Sequence, residues 1–252
     1  MHSFGIAALG FCSALLLASA SQAASYGNFV GTNVTYQSVS DGLGLYGAPT
    51  ISGNALDFSP TAYTAACPVA GCPPSPVIVD DALVFHIQAN PSAFIGSIIL
   101  AEAGDTTLAS FLNAFAATQV SAPVHIQIEE INGVPVSVSN PFVILKLDTF
   151  LTFNNGGLFQ STVDGTGTHL WNGSLSVDVD QMIALAGLTG RATRIDFSMD
   201  NVLTAYAESG ASARIQKKDV DGLTITVVPE PGTGLLMALG LVGLAAIRRN
   251  TR

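Results

Sequence analysis

Apolar and polar residues alternate with a period of two along much of this chain, and this alternation restricts the fold more than any other feature. It is clearest in four runs, whose apolar positions are Leu83, Phe85 and Ile87; Val124, Ile126 and Ile128; Ile195, Phe197 and Met199; and Leu223, Ile225 and Val227. Consecutive side chains of a strand point to opposite faces of a sheet, so each run predicts a strand with one buried face. Residues 202–217 predict a hairpin that turns at Ser209-Gly210.

Turn signals separate the predicted strands. They are Asn132-Gly133, Asn155-Gly156-Gly157, Asp164-Gly165 and Asp221-Gly222. One short helix is predicted over residues 180–186, and a less regular helical pattern covers residues 107–117. Many short strands between regular turns indicate an all-β fold, an antiparallel β-sandwich or jelly-roll-like domain with one short helix.

The strand-rich region, residues 24–228, is predicted to be one domain. No internal repeat, low-complexity linker or block of charge divides it, and the proline-rich stretch CPVAGCPPSP at residues 67–76 is predicted to be a loop within it. The region contains 17 acidic and 6 basic residues, a net charge of −11 with histidine neutral. Nucleic acid is therefore excluded as a partner, because phosphate binding requires a basic face.

Residues 1–23 are predicted to be a secretory signal peptide. The apolar residues 4–18 are followed by small residues, with Ser21 and Ala23 at the −3 and −1 positions of a cleavage site after Ala23. A transmembrane anchor is the alternative, but the apolar stretch is short and ends in small and polar residues. We therefore expect an exported protein whose first partners are the general secretion machinery and signal peptidase.

Residues 229–252 form a tail of three parts. These are a proline-flanked glutamate, an apolar run and a group of arginines, namely Pro229-Glu230-Pro231, residues 233–247, and Arg248, Arg249 and Arg252. The prolines predict a stiff extended spacer, because proline fixes φ and lacks an N–H. As a helix, the apolar run of 15 residues would be about 22 Å long, against about 30 Å for the hydrocarbon core of a bilayer.

The tail therefore predicts a single transmembrane helix of marginal length, whose arginines stop translocation and keep the C-terminus in the cytoplasm. A buried core helix is the alternative for residues 233–247. The terminal position and the arginine cluster favour the membrane.

In this combination the tail resembles that of the PEP-CTERM proteins of Gram-negative bacteria. The resemblance rests on Pro229-Glu230-Pro231, the apolar run after it and Arg248-Arg249. It implies that exosortase, a multi-pass membrane enzyme, recognises the tail and cleaves near the motif. It also implies transient anchorage in the inner membrane with the domain in the periplasm, then delivery to the cell surface or extracellular matrix, in association with exopolysaccharide and biofilm.

Cys67 and Cys72 are the two cysteines that remain after removal of the signal peptide. Export to an oxidising compartment favours a disulfide between them, and closing so small a loop stabilises the fold by about 2 kcal/mol at best. Zinc is the alternative, but zinc requires about four clustered ligands and no histidine lies nearby in the sequence.

No metal or cofactor is predicted, although calcium is an alternative at Asp164, Asp178 and Asp180. On an extended segment, Asp178 and Asp180 would share a face about 6.8 Å apart, and calcium requires several oxygen ligands. A solvated face near the start of the predicted helix is the simpler interpretation of these acids.

No catalytic residue is predicted, and we expect the chain not to be an enzyme. G-x-S-x-G and H-E-x-x-H do not occur. A Ser-His-Asp arrangement that uses His86, His125 or His169 stays open. The stretch GLGLYG at residues 42–47 matches G-x-G-x-x-G, but no helical pattern follows it, so it predicts a glycine-rich turn and not a dinucleotide site.

We therefore expect the domain to act as a structural or adhesive component. Two alternatives come from other classes. One is a secreted polysaccharide hydrolase, and the other is a carbohydrate-binding module that stacks sugars on Trp171 and on exposed tyrosines such as Tyr46 and Tyr63. For Trp171, the sole tryptophan, we expect a place in the core.

Overall fold

Two antiparallel sheets lie face to face in the computed structural model of this chain, which describes residues 23–72, 75–111, 113–218 and 222–229. The all-β fold predicted from the alternation is confirmed. The strands of these residues are β1 (Ala24–Val30), β2 (Val34–Asp41), β3 (Thr50–Ser52), β4 (Ala55–Phe58), β5 (Thr64–Cys67), β6 (Val77–Ala89), β7 (Ser97–Ser110), β8 (Ala116–Ser121), β9 (Pro123–Ile131), β10 (Val134–Pro135), β11 (Lys146–Phe150), β12 (Thr152–Phe153), β13 (Leu158–Gln160), β14 (Gly167–Asp178), β15 (Ala192–Ala207), β16 (Ala211–Lys217) and β17 (Leu223–Val228). The helices are α1 (Val136–Ser139) and α2 (Val179–Leu185), and a 3-10 turn covers Asn154–Gly157.

The first sheet is organised around the long strand β15. One side of β15 pairs with β6, which continues to β2 and β1. The other side is shared, since β9 pairs with residues 192–199 and β8 with residues 202–207. The ladder then extends from β9 to β10 and β11, and from β8 to β13.

The second sheet repeats this arrangement around β7. One side of β7 pairs with β14 from Ser97 to Leu108, and β14 carries β12. The other side is shared between β17 at the start of β7 and β16 at its end. From there the sheet extends from β17 to β4 and β3, and from β16 to β5.

The core lies between the two sheets, and all four alternating runs turn their apolar side chains into it. Aromatic rings fill its middle: Phe85 of β6 stacks on Phe197 of β15 with centroids 4.5 Å apart, and Tyr36 meets Phe85 edge-on. Trp171 is also buried, as predicted. Burial of such side chains is the main favourable term in folding.

The hairpin predicted for residues 202–217 is wrong. The turn lies at Ser209-Gly210 as expected, with the N–H of Ala211 donating to the carbonyl of Glu208. However, β15 belongs to the first sheet, whereas β16 pairs with β5 and β7 of the second. The turn therefore carries the chain between sheets. A hairpin and a crossing between sheets both need two alternating strands and a tight turn, so alternation does not distinguish them.

The short helix predicted over residues 180–186 is confirmed as α2. Asp178 caps it, since its Oδ1 accepts from the N–H of Gln181 over 2.8 Å. The helical pattern over residues 107–117 is wrong, because these residues end β7 and begin β8. There, pairing with neighbouring strands outweighs the helical preference of alanine and leucine.

The turn at Asn132-Gly133 is confirmed between β9 and β10, with φ of 51° and 76° at its two residues. Such left-handed conformations are the reason that Asn-Gly suits a two-residue hairpin turn.

No helix in the part of the chain that the structure describes is long and apolar enough to cross a membrane. The predicted transmembrane helix at 233–247 lies outside the described residues. So does the predicted signal peptide, apart from Ala23. The described fold starts next to the predicted cleavage point, since Ala24 is the first residue of β1.

Gly104 offers a test of the packing between the sheets. A Cβ at this position of β7 would overlap the indole of Trp171 and the carbonyl of Gln216. We expect Gly104→Ala to lower the free energy of unfolding by about 3 kcal/mol, measured by urea denaturation. Gly53→Ala is the matched control, because a Cβ there meets open space and only the φ of +62° opposes it, at about 1 kcal/mol. Equal losses in the two variants would contradict the close packing at Gly104.

Candidate functional site

Strand β17 is held by β7 up to its last residue. It lies between β7 and β4, and its pairing with β4 ends at Thr226. Val228 pairs with Ser97 of β7, and the N–H of Gly96 donates to the carbonyl of Val228 over 3.2 Å. Pro229 follows directly and cannot extend the ladder, because it has no N–H. The predicted sorting segment therefore starts where the chain leaves the second sheet.

Asparagine side chains brace the loops around this exit. The N–H of Asn33 donates to Oδ1 of Asn54 over 2.7 Å, and Nδ2 of Asn54 donates back to Oδ1 of Asn33 over 3.1 Å. The carbonyl of Asn54 accepts from the hydroxyl of Tyr36 at 2.6 Å and from the N–H of Val227 at 3.2 Å. The exit from β17 is thus part of a hydrogen-bonded end of the sandwich.

Of the predicted sorting residues, the structure describes Pro229 alone. The others lie outside the described residues, namely Glu230, Pro231, Arg248, Arg249 and Arg252.

The predicted disulfide between Cys67 and Cys72 is present, with a Cα–Cα distance of 5.1 Å. It lies at the other end of the sandwich from the tail, because Cys67 pairs with Ala213, which pairs with Leu108 near the end of β7. That position is about 35 Å along the strand from Ser97. The N–H of Cys72 donates to the carbonyl of Ala207 over 3.0 Å. The bridge therefore ties the proline-rich loop to the end of β15.

The three acids considered for calcium do not form one site. Oδ2 of Asp164 accepts from the N–H of Gln160 over 2.6 Å in the turn after β13. β14 ends at Asp178, so Asp178 and Asp180 are the cap and the first turn of α2 and not neighbours on an extended segment. Among the described residues, no group of three or more histidine, cysteine or acidic side chains is placed to hold a metal ion.

Two histidines have carboxylate partners on the outer face of the first sheet. Nδ1 of His86 lies 3.2 Å from Oδ1 of Asp196 and 3.6 Å from Oε2 of Glu129. Nδ1 of His125 lies 2.5 Å from Oδ1 of Asp148, and this hydrogen bond is the main cause that lowers the pKa of Asp148. The sequence analysis missed these partners, because they come from other strands.

Strand register also places Ser198 opposite His125, with Asp148 on the far side of the histidine. A row of Asp, His and Ser thus crosses three strands. In the described part of the chain, however, Ser198 makes no hydrogen bond to His125, so the row lacks the contact that activates a serine. His169 contacts the carbonyl of Gly165 at 3.3 Å and stacks on Phe159.

A groove of about 360 Å³ shares Glu129 with the ion pair of His86. It lies between β9 and the segment that follows it, and its lining includes the polar residues Gln127, Glu129 and Arg194 together with apolar residues such as Leu145. Nε of Arg194 donates to Oε2 of Glu129 over 2.6 Å. Glu129 therefore connects the groove with the contacts of His86.

The tyrosines predicted to be exposed are buried. Tyr46, Tyr63 and Trp171 are each at most 1% exposed, so none of them offers a face to a sugar. Tyr46 belongs to the GLGLYG stretch, which forms a loop between β2 and β3, as predicted.

Two carboxylates shape that loop, one from Asp81 within β6 and one from Asp41 at the end of β2. The carboxylate of Asp81 accepts from the N–H groups of Leu43 and Leu45 over 2.8 and 2.9 Å, and Asp41 accepts from that of Gly44 over 2.8 Å. Burial raises the pKa of Asp81, against the effect of these hydrogen bonds. The loop folds inward around the two acids and places Tyr46 in the core.

A charged group lies inside the core, and the sequence analysis did not identify it. Lys217 of β16 and Glu102 of β7 form an ion pair of 2.6 Å, with both side chains fully buried. Asn201 of β15 reaches the same carboxylate from the opposite sheet. The alternation could have indicated their burial. Two residues before each of them, on the same strand, lies a buried apolar residue, and this holds for Glu102, Asn201 and Lys217.

The model of the PEP-CTERM protein-sorting motif matches residues 227–250 of the chain. The match starts in the last two residues of β17 and runs through the apolar part of the tail. The resemblance seen in the sequence is therefore confirmed. A protein with this motif is secreted, passes through a membrane-anchored form and has exosortase as its processing partner.

No curated protein matches the chain. Three solved structures align with it at low scores. TmCBM61 in complex with beta-1,4-galactotriose is 7% identical over 66% of this chain and 90% of its own, with a TM-score of 0.14. The T13 viral particle of infectious bursal disease virus is 11% identical over 79% and 49%, with a TM-score of 0.20. The VP2 subviral particle of that virus is 9% identical over 86% and 58%, with a TM-score of 0.14. At such scores none of them supports an argument about this chain.

The disulfide is open to a direct test. When secreted protein is denatured without reductant and treated with a thiol reagent, we expect no labelled cysteine, because Cys67 and Cys72 are bonded to each other. After reduction, two labels should appear and the melting temperature of the protein should fall. Two labels on unreduced protein would contradict the bridge.

Proposed function

We propose that the folded domain is a structural or adhesive component of the cell surface or extracellular matrix, associated with exopolysaccharide and biofilm, and that the PEP-CTERM tail delivers it there. The observation that carries this proposal is the junction at Val228 and Pro229. β17 ends at Val228, the Pro-Glu-Pro spacer starts at Pro229, and the matched motif spans this junction because it covers residues 227–250. Cleavage near residue 231 releases the whole sandwich with β17 in place.

The form of the domain supports a structural role. Two long strands run through the sandwich, and a disulfide fastens the end that lies away from the tail. The net charge of −11 over residues 24–228 keeps such a domain soluble and lets divalent cations connect it to acidic polymers.

Carbohydrate binding is the second candidate, at a different place from that expected from the sequence. The groove that contains Glu129 combines apolar side chains with amide, carboxylate and guanidinium groups, and these polar groups are donors and acceptors suited to sugar hydroxyls. Trp171 has no part in it, because it is buried. If this candidate holds, purified domain binds exopolysaccharide from its host, and Arg194→Ala weakens that binding.

The sorting role is tested by replacing Pro229, Glu230 and Pro231 with alanine. We expect export to continue while unprocessed protein accumulates in the membrane, because the extended spacer that the enzyme grips is lost. Fractionation and C-terminal sequencing measure both effects. Alanine at residues 232–234 is the matched control and should leave processing intact. Recovery of Arg249 and Arg252 from protein made in the wild-type host would show that the tail is a plain anchor.

We also propose that the domain has no hydrolytic activity. Purified protein should show no turnover of polysaccharide, ester or peptide substrates above that of a heat-denatured sample. The residues that most resemble a catalytic triad are Asp148, His125 and Ser198, so variants of this row are the strictest test. A measured activity that disappears in His125→Ala, or in Ser198→Ala, would reverse this proposal and favour the hydrolase.

A further inference from the structure

Three polar side chains from three strands meet in the middle of the sandwich. Glu102 lies in β7, Lys217 ends β16 and Asn201 lies in β15 of the facing sheet. Their exposed fractions are 3%, 1% and 0%. A lysine and an asparagine with no access to water serve neither solubility nor surface recognition, so their placement calls for another role.

The carboxylate of Glu102 contacts both partners at once. Its Oε1 lies 2.6 Å from Nζ of Lys217, and the same atom accepts from Nδ2 of Asn201 over 2.7 Å. Its second oxygen accepts from Nδ2 over 2.6 Å. One oxygen atom therefore holds the amine of Lys217 beside the side-chain amide of Asn201.

The hydrogen bonding of the group is incomplete. Within the described residues, Oδ1 of Asn201 has no hydrogen-bond partner, and Nζ of Lys217 has none beyond its ion pair with Glu102. Buried polar atoms without partners are rare in native proteins and call for a specific explanation. Here, the unpartnered atoms are those of an amine and of an amide carbonyl.

Burial makes the amine of Lys217 lose its proton more readily, because it lowers the pKa of Lys217 against the opposing effect of Glu102. The rings of Tyr46 and Tyr63 lie 4.9 and 5.1 Å from Nζ, where they attract the ammonium and not the neutral amine. Burial also raises the pKa of both tyrosines, so neither is an anion that could fix the ammonium. A neutral lysine amine is a nucleophile, whereas the ammonium is not.

We propose that Lys217 and Asn201 become joined by an intramolecular isopeptide bond, with Glu102 as the group that moves the protons. The bond would connect β16 of the second sheet to β15 of the first through the middle of the core.

The reaction balances without an added reagent. A proton passes from Nζ of Lys217 to Glu102, and the lone pair of Nζ attacks Cγ of Asn201 while the carbonyl electrons move to Oδ1. The acid form of Glu102 stabilises the charge that develops on Oδ1. A second proton moves from Nζ through Glu102 to Nδ2. The Cγ–Nδ2 bond breaks, ammonia leaves, and an amide links the two side chains.

The cost of burying charged groups favours the reaction. A buried ion pair is costly, because two charges leave water and only their attraction offsets this cost. Formation of the amide replaces the charged amine by a neutral group, and its N–H donates to Glu102. A covalent link between Lys217 and Asn201 thus replaces the destabilising burial of the ion pair between Lys217 and Glu102.

Mass spectrometry of the full secreted protein decides the matter. After reduction of the disulfide, and with both chain ends determined by sequencing, we expect a mass about 17 Da below that of the sequence, the mass of one ammonia. Lys217→Met and Glu102→Gln should each restore the full mass. Lys218→Met is the matched control, because Lys218 is exposed next to the site, and it should keep the loss.

Tryptic peptides locate the bond independently of any variant. Cleavage after Arg194 and Arg214 releases residues 195–214, which contain Asn201. In linked protein this peptide is joined to residues 215–218, so the second sequencing cycle of the branched product yields both Asp196 and Gln216. A linear peptide that lost ammonia by cyclisation of Asn201 yields Asp196 alone. That result, or free 195–214 at full mass in wild-type protein, overturns the proposal.

Discussion

Two long strands hold this fold together. β7 has 14 residues and β15 has 16, and each carries one long partner on one side and two shorter strands on the other. Among the described residues the shorter strands are joined only through the long one, so each sheet depends on it for continuity. The two long strands face each other across the core, and the amide of Asn201 on β15 reaches the carboxylate of Glu102 on β7. A change at their buried positions therefore affects both sheets.

Alternation explains what could be predicted from this sequence and also what was missed. Counting by twos from Ile195, Phe197 and Met199 leads to Asn201, and the same count places Glu102 and Lys217 on buried faces. That the three meet does not follow from the count. Asn201 and Glu102 are 99 residues apart, and their contact depends on how two sheets stack. The mistaken hairpin at residues 202–217 has the same origin, because local pattern does not determine which strand is a partner.

The sorting tail could be predicted because its chemistry is linear, with the motif, the apolar run and the arginines adjacent in sequence. The Cys67–Cys72 bridge is equally local. The outer-face sites are not: Asp148 reaches His125 through the register of β11 on β9, and Asp196 reaches His86 through that of β15 on β6. Exposure of Tyr46 and Tyr63 was wrong for a related reason. The loop of Tyr46 is held by Asp81, which is 36 residues from Leu45, and the hydroxyl of Tyr63 donates to the carbonyl of Asn201, which is 138 residues away.

The position of β17 sets an order of events during export. Thr224 of β17 donates to Asp57 of β4 over 2.7 Å across 167 residues of chain. Among the strands that the structure describes, β3 and β4 join the second sheet only through β17. When the chain crosses the membrane with its N-terminus leading, β4 emerges long before its neighbour β17. The sandwich closes only when the residues directly ahead of the tail have crossed. A tail that delays release would keep the nearly complete domain at the membrane until its last strand, β17, has inserted into the second sheet.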